Sequence, residues 1–307
     1  MSTLNELKRE IKVVGKVKSI DRVREGEAKK SGKKYLAYTM YVMVENKKTG
    51  TVDDIRVDFF AMDGSAPFKS ISKFLEEGKT VANTSKEEAD LVTIAGRLEL
   101  EEYVNKEGKH VVFNKLQGAF IHRLDEDEKH RAVANVETVI TDIKDKLDED
   151  DLPTGEKVLN GFSIGYNDEV IVINEAIVPK QLAENFVKIY RTGQTAMLTY
   201  QFINRAVDNE EEEVEDEAPV AAFGAVAEIE TGKKFRSYDK RTLVVGGLQP
   251  YDEDLALTKD EIDQALKVRE EKESELINKT YDVPIKPKAE VKESNNQAFG
   301  SDDIPDF

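Results

Sequence analysis

The sequence predicts a mainly β protein: two small Greek-key barrels in tandem, then one helix and a disordered acidic tail. Three observations point there. Apolar residues alternate with polar ones through most of the chain, the two-residue period of half-buried strands. That alternation gives way to helical spacing at matching places in the first and second parts. The 307 residues exceed one small domain and suit two folded units plus an extension, at roughly 100–200 residues per domain.

The first unit, residues 1–124, opens with Ile11–Ile20, which is β-branched and partly alternating. A Lys- and Gly-rich loop is expected from Arg22 to Lys34. From Tyr35 to Val44, Leu36, Tyr38, Met40, Val42 and Val44 point one way, with Tyr35, Thr39 and Tyr41 opposite. Asn46–Gly50 reads as a turn, and Ile55, Val57 and Phe59 form the apolar face of a third strand, leaving Arg56 and Phe60 outside. After Pro67, Phe68, Ile71, Phe74 and Leu75 fall at helical spacing, with Gly78 as the stop. Strand character returns over Leu91–Leu100, and a loop at Asn105–Gly108 leads into Val111–Phe120. Three strands, a helix and two strands is the order of a five-stranded barrel of the OB type.

Residues 125–254 repeat that order more loosely. Val133–Thr141, Lys157–Tyr166 and Val170–Val178 are candidate strands, and Pro179 starts a helix carrying Leu182, Phe186, Val187 and Tyr190 that Gly193 closes. Thr195–Asn204 follows, then an acidic insertion at 208–217, then Arg241–Gly247. The sequence thus predicts a second OB-like barrel. A helix is expected over 255–280, its start marked by the capping box of Thr258 and Glu261. Residues 281–307 are polar and Pro-containing, and read as a disordered linker ending in an acidic tip.

Charge is unevenly spread. The chain carries a net −17, yet residues 1–124 hold 23 Lys and Arg against 19 Asp and Glu, while residues 125–254 hold 14 against 30. A polyanion repelled by the whole could therefore still dock on the first unit, because screening over about 8–10 Å lets local charge decide. The absence of Cys excludes disulfides, thiolate zinc sites and thiol catalysis, and the three His show no ligand spacing. Asp148–Asp151 is a run of carboxylates that reads as a solvated loop rather than a metal site. With no phosphate-binding Gly-rich loop or acid–base constellation, the expectation is a non-enzyme without cofactor or metal. No apolar run is long enough to span a membrane and the start lacks a signal-peptide pattern, so a soluble cytoplasmic protein is expected.

The chain ends Phe299-Gly300-Ser301-Asp302-Asp303-Ile304-Pro305-Asp306-Phe307. Phe307 offers a ring and a terminal carboxylate together, Pro305 limits the entropy lost on binding, and Ile304 adds apolar surface. Asp302, Asp303 and Asp306 would be drawn to a basic surround. This tip resembles the C-terminal peptide of bacterial and some phage single-stranded DNA-binding proteins, with Asp306 inserted between the Ile-Pro and the Phe. The resemblance continues in Arg56–Phe60, Phe74–Val81 and Val92–Leu98, which are similar to that family's third strand, helix end and fourth strand. It implies that Phe60 and Tyr103 are base-stacking positions and that Gly108 lies in the hairpin loop. The family's Trp residues are absent, and Asp54 occupies one such site.

Single strands are held without sequence preference by cations tracking phosphates and rings stacking on bases. Candidate stacking residues are Tyr35, Tyr41, Phe60, Tyr103 and Phe113, although the core competes for Phe113. Candidate phosphate contacts are Lys33, Lys34, Arg56, Arg97, Lys106, Lys109 and Lys115. In the second unit, Lys233, Lys234, Phe235, Arg236, Tyr238, Lys240 and Arg241 form the one basic and aromatic cluster, either a second contact or a local charge balance. The expected partners are single-stranded DNA and, through the tip, proteins of replication, recombination or repair. A phage origin and a homo-oligomer are further expectations. The competing reading is an interaction protein whose acidic half mimics DNA or whose tip blocks a partner's pocket.

Overall fold

The structure, a computed structural model, describes residues 4–29, 31–105, 107–125, 128–207 and 237–281. Lys106, the acidic insertion, Lys233–Arg236 and the whole C-terminal tip lie outside the described residues.

Strand β1 (Arg9–Glu27), β2 (Lys34–Asn46) and β3 (Thr51–Met62) precede helix α1 (Ala66–Glu77), then β4 (Leu91–Val104) and β5 (His110–Arg123). β1 pairs with both β2 and β4, β4 with β5, and β5 closes on β3 through a short parallel contact at Asp58–Gln117 and Phe59–Gly118. With β2 paired to β3, the five strands form a closed Greek-key barrel of the OB type.

The second half repeats every step. Strands β6 (Arg131–Leu147), β7 (Pro153–Ile164) and β8 (Val170–Val178) precede α2 (Lys180–Ile189), β9 (Thr195–Val207) and β10 (Ser237–Gly247). β6 pairs with β7 and β9, β9 with β10, and β10 closes on β8 in parallel at Leu243–Ile177. Both helices end alike: the N–H of Gly78 donates to the Phe74 carbonyl and that of Tyr190 to the Phe186 carbonyl. The chain is mainly β, two such barrels followed by α3 (Lys259–Tyr281). Among the described residues, no helix is long and apolar enough to cross a membrane.

Several boundaries differ from the sequence reading. β1 continues to Glu27, so much of the expected loop from Arg22 is strand; its polar residues pair with β2 where the sheet faces solvent on both sides. α2 stops at Ile189 rather than at Gly193, which instead makes a left-handed turn with φ +85°. Asp148–Asp151 forms the β6–β7 turn, held by the Asp148 carboxylate accepting from the Asp150 and Leu152 N–H groups at 3.0 and 2.9 Å.

The barrels share a backbone seam. β1 pairs antiparallel with β6 from Arg9–Val136 to Val14–Arg131, joining all ten strands into one sheet, and Val14 is fully buried there. The main apolar core includes residues of both barrels, from Val13 and Phe59 to Val136 and Leu198. A second cluster packs Leu4 and Leu7 with Phe162, Ile164, Leu257 and Ala265, tying chain start and α3 to the second barrel. Farther along, Asn204 Nδ2 donates to the Asp54 carbonyl at 2.7 Å, and Arg205 bonds both Asp53 carboxylate oxygens at 2.9 and 3.2 Å.

Candidate nucleic-acid interface

Strict alternation along β2 and β3 fills the first barrel with Tyr38, Met40, Val57 and Phe59. The same alternation turns Tyr35, Tyr41, Arg56 and Phe60 to the outer face. Burial holds the Tyr38 phenol well above the usual tyrosine range, so it stays neutral inside the barrel.

At one end of this face, Phe60 is 51% exposed and stacks on Tyr35 with ring centroids 5.8 Å apart and planes 30° apart. Lys33 and Lys34 are exposed at the adjoining start of β2. Phe120 joins this end for a reason hidden from simple alternation. Ala95 faces Phe120 whereas Gly96 faces Gly118, so Ala119 is an extra residue in β5. That bulge reverses the parity and leaves Phe120 exposed instead of inside with Leu116.

At the other end lies a cleft of about 770 Å³ between the barrels. It brings together Tyr41, Arg56, Phe113 and Lys115 of the first barrel with Lys240 and Arg241 of the second. Phe113 is half-buried in the cleft wall, with Lys240 Nζ 5.6 Å from its ring centroid. Lys144, Lys146 and Phe202, which are not among the sequence candidates, also line the cleft. For the two lysines a signal existed: β6 keeps alternating past Thr141 to Leu147, putting Lys144 and Lys146 in step. Phe202 gave no such signal, because it shares parity with the buried Leu198 and Tyr200.

Several candidate cations are tethered. Arg56 pairs with Asp58 at 2.9 Å, Lys115 with Glu101 at 3.5 Å, Arg241 with Asp239 at 2.7 Å, and Arg97 with Glu99. Arg97 lies on the outer face of β4 and lines neither the ring platform nor the cleft. Tyr238 is 57% exposed on β10, two residues before Lys240.

Tyr103 and Lys109 belong to the β4–β5 hairpin, with Tyr103 45% exposed and Lys109 exposed at the loop. The loop is shaped by Asn105, whose Oδ1 accepts from the Glu107 and Lys109 N–H groups at 2.9 Å each, and by Gly108 at φ +78°. Its base is clamped by α3, which starts at the expected capping box: the Glu261 N–H donates to Thr258 Oγ1 and the Thr258 N–H to Glu261 Oε2. The Glu102 side chain, 7% exposed, takes Arg269 at 2.7 Å and Lys272 at 3.3 Å, while Lys272 reaches Glu169 of the second barrel at 2.9 Å. Burial alone would raise the Glu102 carboxyl, but Arg269 and Lys272 outweigh it and hold it below the usual carboxylate range. The hairpin is thereby braced against both α3 and the second barrel. Among the described residues, no cluster of acidic or His side chains is arranged to hold a metal ion.

The family model described as YorF matches residues 8–279, a span that takes in both barrels and nearly all of α3. The chain belongs to the YorF family. No curated protein matches the sequence. Among solved structures, the chain is similar to the wild-type single-stranded DNA-binding protein from Thermus aquaticus, with a TM-score of 0.47 and 11% identity over 81% of this chain and 95% of that one. An internal-deletion variant of the same Thermus aquaticus protein gives 0.45 and 12%, covering 81% of this YorF-family chain and 98% of the other.

Proposed function

We propose that this YorF-family protein is a non-enzymatic, sequence-independent single-stranded DNA-binding protein of replication, recombination or repair. The observation that carries the reading is the Tyr35–Phe60 platform: a half-exposed ring stacked on a second, on the outer face of β2 and β3. That face of an OB barrel, with the β1–β2 and β4–β5 loops beside it, is where the fold holds oligonucleotides. Lys33 and Lys34 at the start of β2 border it with positive charge, and Lys109 is exposed in the β4–β5 loop. Exposed rings accept any base because every base has a flat π-face. The sequence motifs of the third strand, helix end and fourth strand support the same reading.

The terminal segment adds a recruiting role. Asp302, Asp303, Ile304, Pro305, Asp306 and Phe307 form the partner-binding tip; its carboxylates cover the basic face when no strand is bound, and DNA displaces them. A phage origin suits the Asp306-Phe307 ending.

The test is fluorescence anisotropy of labelled oligo(dT) at rising salt, on the full chain and on a chain lacking residues 299–307. Binding that weakens linearly in log salt supports the reading. No binding by either protein at low salt overturns it in favour of a DNA mimic or pocket inhibitor.

A further inference from the structure

We infer that the cleft between the barrels is a second seat for the same strand, so that both barrels grip one DNA molecule as a single site. This rests on the reading of single-stranded DNA binding above. The cleft departs sharply from the chain's overall charge. Its lining holds six cations against two acids, Asp58 and Glu175, in a protein of net charge −17. Four of the cations, Lys144, Lys146, Lys240 and Arg241, come from the second barrel, the acidic half of the chain.

Four of the cations already hold an acid, Arg56 with Asp58, Lys115 with Glu101, Lys146 with Glu156 at 2.7 Å and Arg241 with Asp239. Asp58 also accepts from the Thr39 hydroxyl at 2.6 Å. This leaves Lys144 and Lys240 as the free charges of the cleft among the described residues, and Lys240 sits over the Phe113 ring. Cations left unpaired over an aromatic wall give up little when a phosphate arrives. The walls carry three rings, Tyr41, Phe113 and Phe202, so bases and phosphates both find partners in one space. At about 770 Å³ the space lies within the ~300–1,000 Å³ of ordinary ligand seats.

A polymer suits the site better than a free nucleotide because the cleft continues the ring platform. Phe60 and Arg56 are four residues apart on the same face of β3, roughly 13 Å at about 3.3 Å per residue. A strand stacked on Phe60 therefore reaches the cleft without leaving the face. The seam between β1 and β6, the Asp53–Arg205 pair and the α3 clamp hold the two walls in register.

The chain lacks Cys, so Asn174→Cys on the cleft wall gives a unique attachment point for an environment-sensitive fluorophore. Saturating oligo(dT) is expected to change the emission of this labelled full-length protein. Replacing Lys144, Lys146 and Lys240 together by Ala removes three phosphate contacts and lowers the salt slope by about 2, at roughly 0.7 per contact on single strands. A silent label with undiminished slope, in proteins that still bind oligo(dT) through Phe60, overturns the cleft seat alone. Failure of the parent and tail-deleted chains to bind at all overturns both this inference and the reading beneath it.

Discussion

Phe60→Ala separates stacking from charge at the ring platform. The ring is 51% exposed, stacks on Tyr35 and lies outside the buried core, so the thermal midpoint of the truncated protein is expected to stay close to that of the parent. One lost base–aromatic stack costs about 1–3 kcal/mol, which corresponds to an affinity loss of about 5- to 150-fold. No charge is removed, so a plot of log affinity against log salt shifts downward without changing slope. Lys240→Ala gives the opposite signature, a slope reduced by about 0.7. Anisotropy of labelled oligo(dT) at four or more salt concentrations reads both quantities from one titration series. Unchanged affinity in a folded Phe60→Ala protein would refute the platform, and a changed slope would show that its role is not stacking.

Glu102→Ala is expected to lose about 1–3 kcal/mol at pH 7, because Arg269, whose side chain is only 10% exposed, loses its 2.7 Å partner and keeps only Glu273 at 4.0 Å. Since Glu102 is held below the ordinary glutamate value of about 4.3, its stabilisation is complete above that pH and fades as pH falls through the lower folded value. Urea denaturation at pH 7 and near pH 3 should therefore show the gap narrowing in acid; a constant gap would exclude the ion pair as its source. Gly118→Ala places a Cβ against the Phe59 ring at the parallel closure of the first barrel, so it should destabilise by about 1–3 kcal/mol, read as a lower urea midpoint. Deleting residues 299–307 removes a polyanionic competitor and should raise oligo(dT) affinity, most at low salt. Equal affinities for the two chains at low salt would rule that competition out.

Period and parity made most of the first barrel legible. The inward set of β2 and β3, the helix after Pro67 and the capping box at Thr258 are local patterns, and each is present as read. Where local pattern failed, a nonlocal partner had decided. The reach of β1 to Glu27 depends on β2 lying beside it, and the outward turn of Phe120 depends on a bulge forced by pairing with β4. Sequence alone likewise places Lys240 and Arg241 in a basic cluster that fits either a second contact or a local charge balance. Nothing near them in the chain indicates that Phe113, over a hundred residues earlier, stands opposite.

By itself the sequence determined the strand order, the facing of side chains along β2 and β3 and the acidic balance, because these follow from spacing and residue chemistry within short windows. Only the tertiary structure decided that two barrels with the same order are stitched along β1 and β6, and that their outer faces enclose a cationic, ring-walled cleft. That depends on backbone pairing and packing between residues distant in the chain, for which periodicity carries no signal.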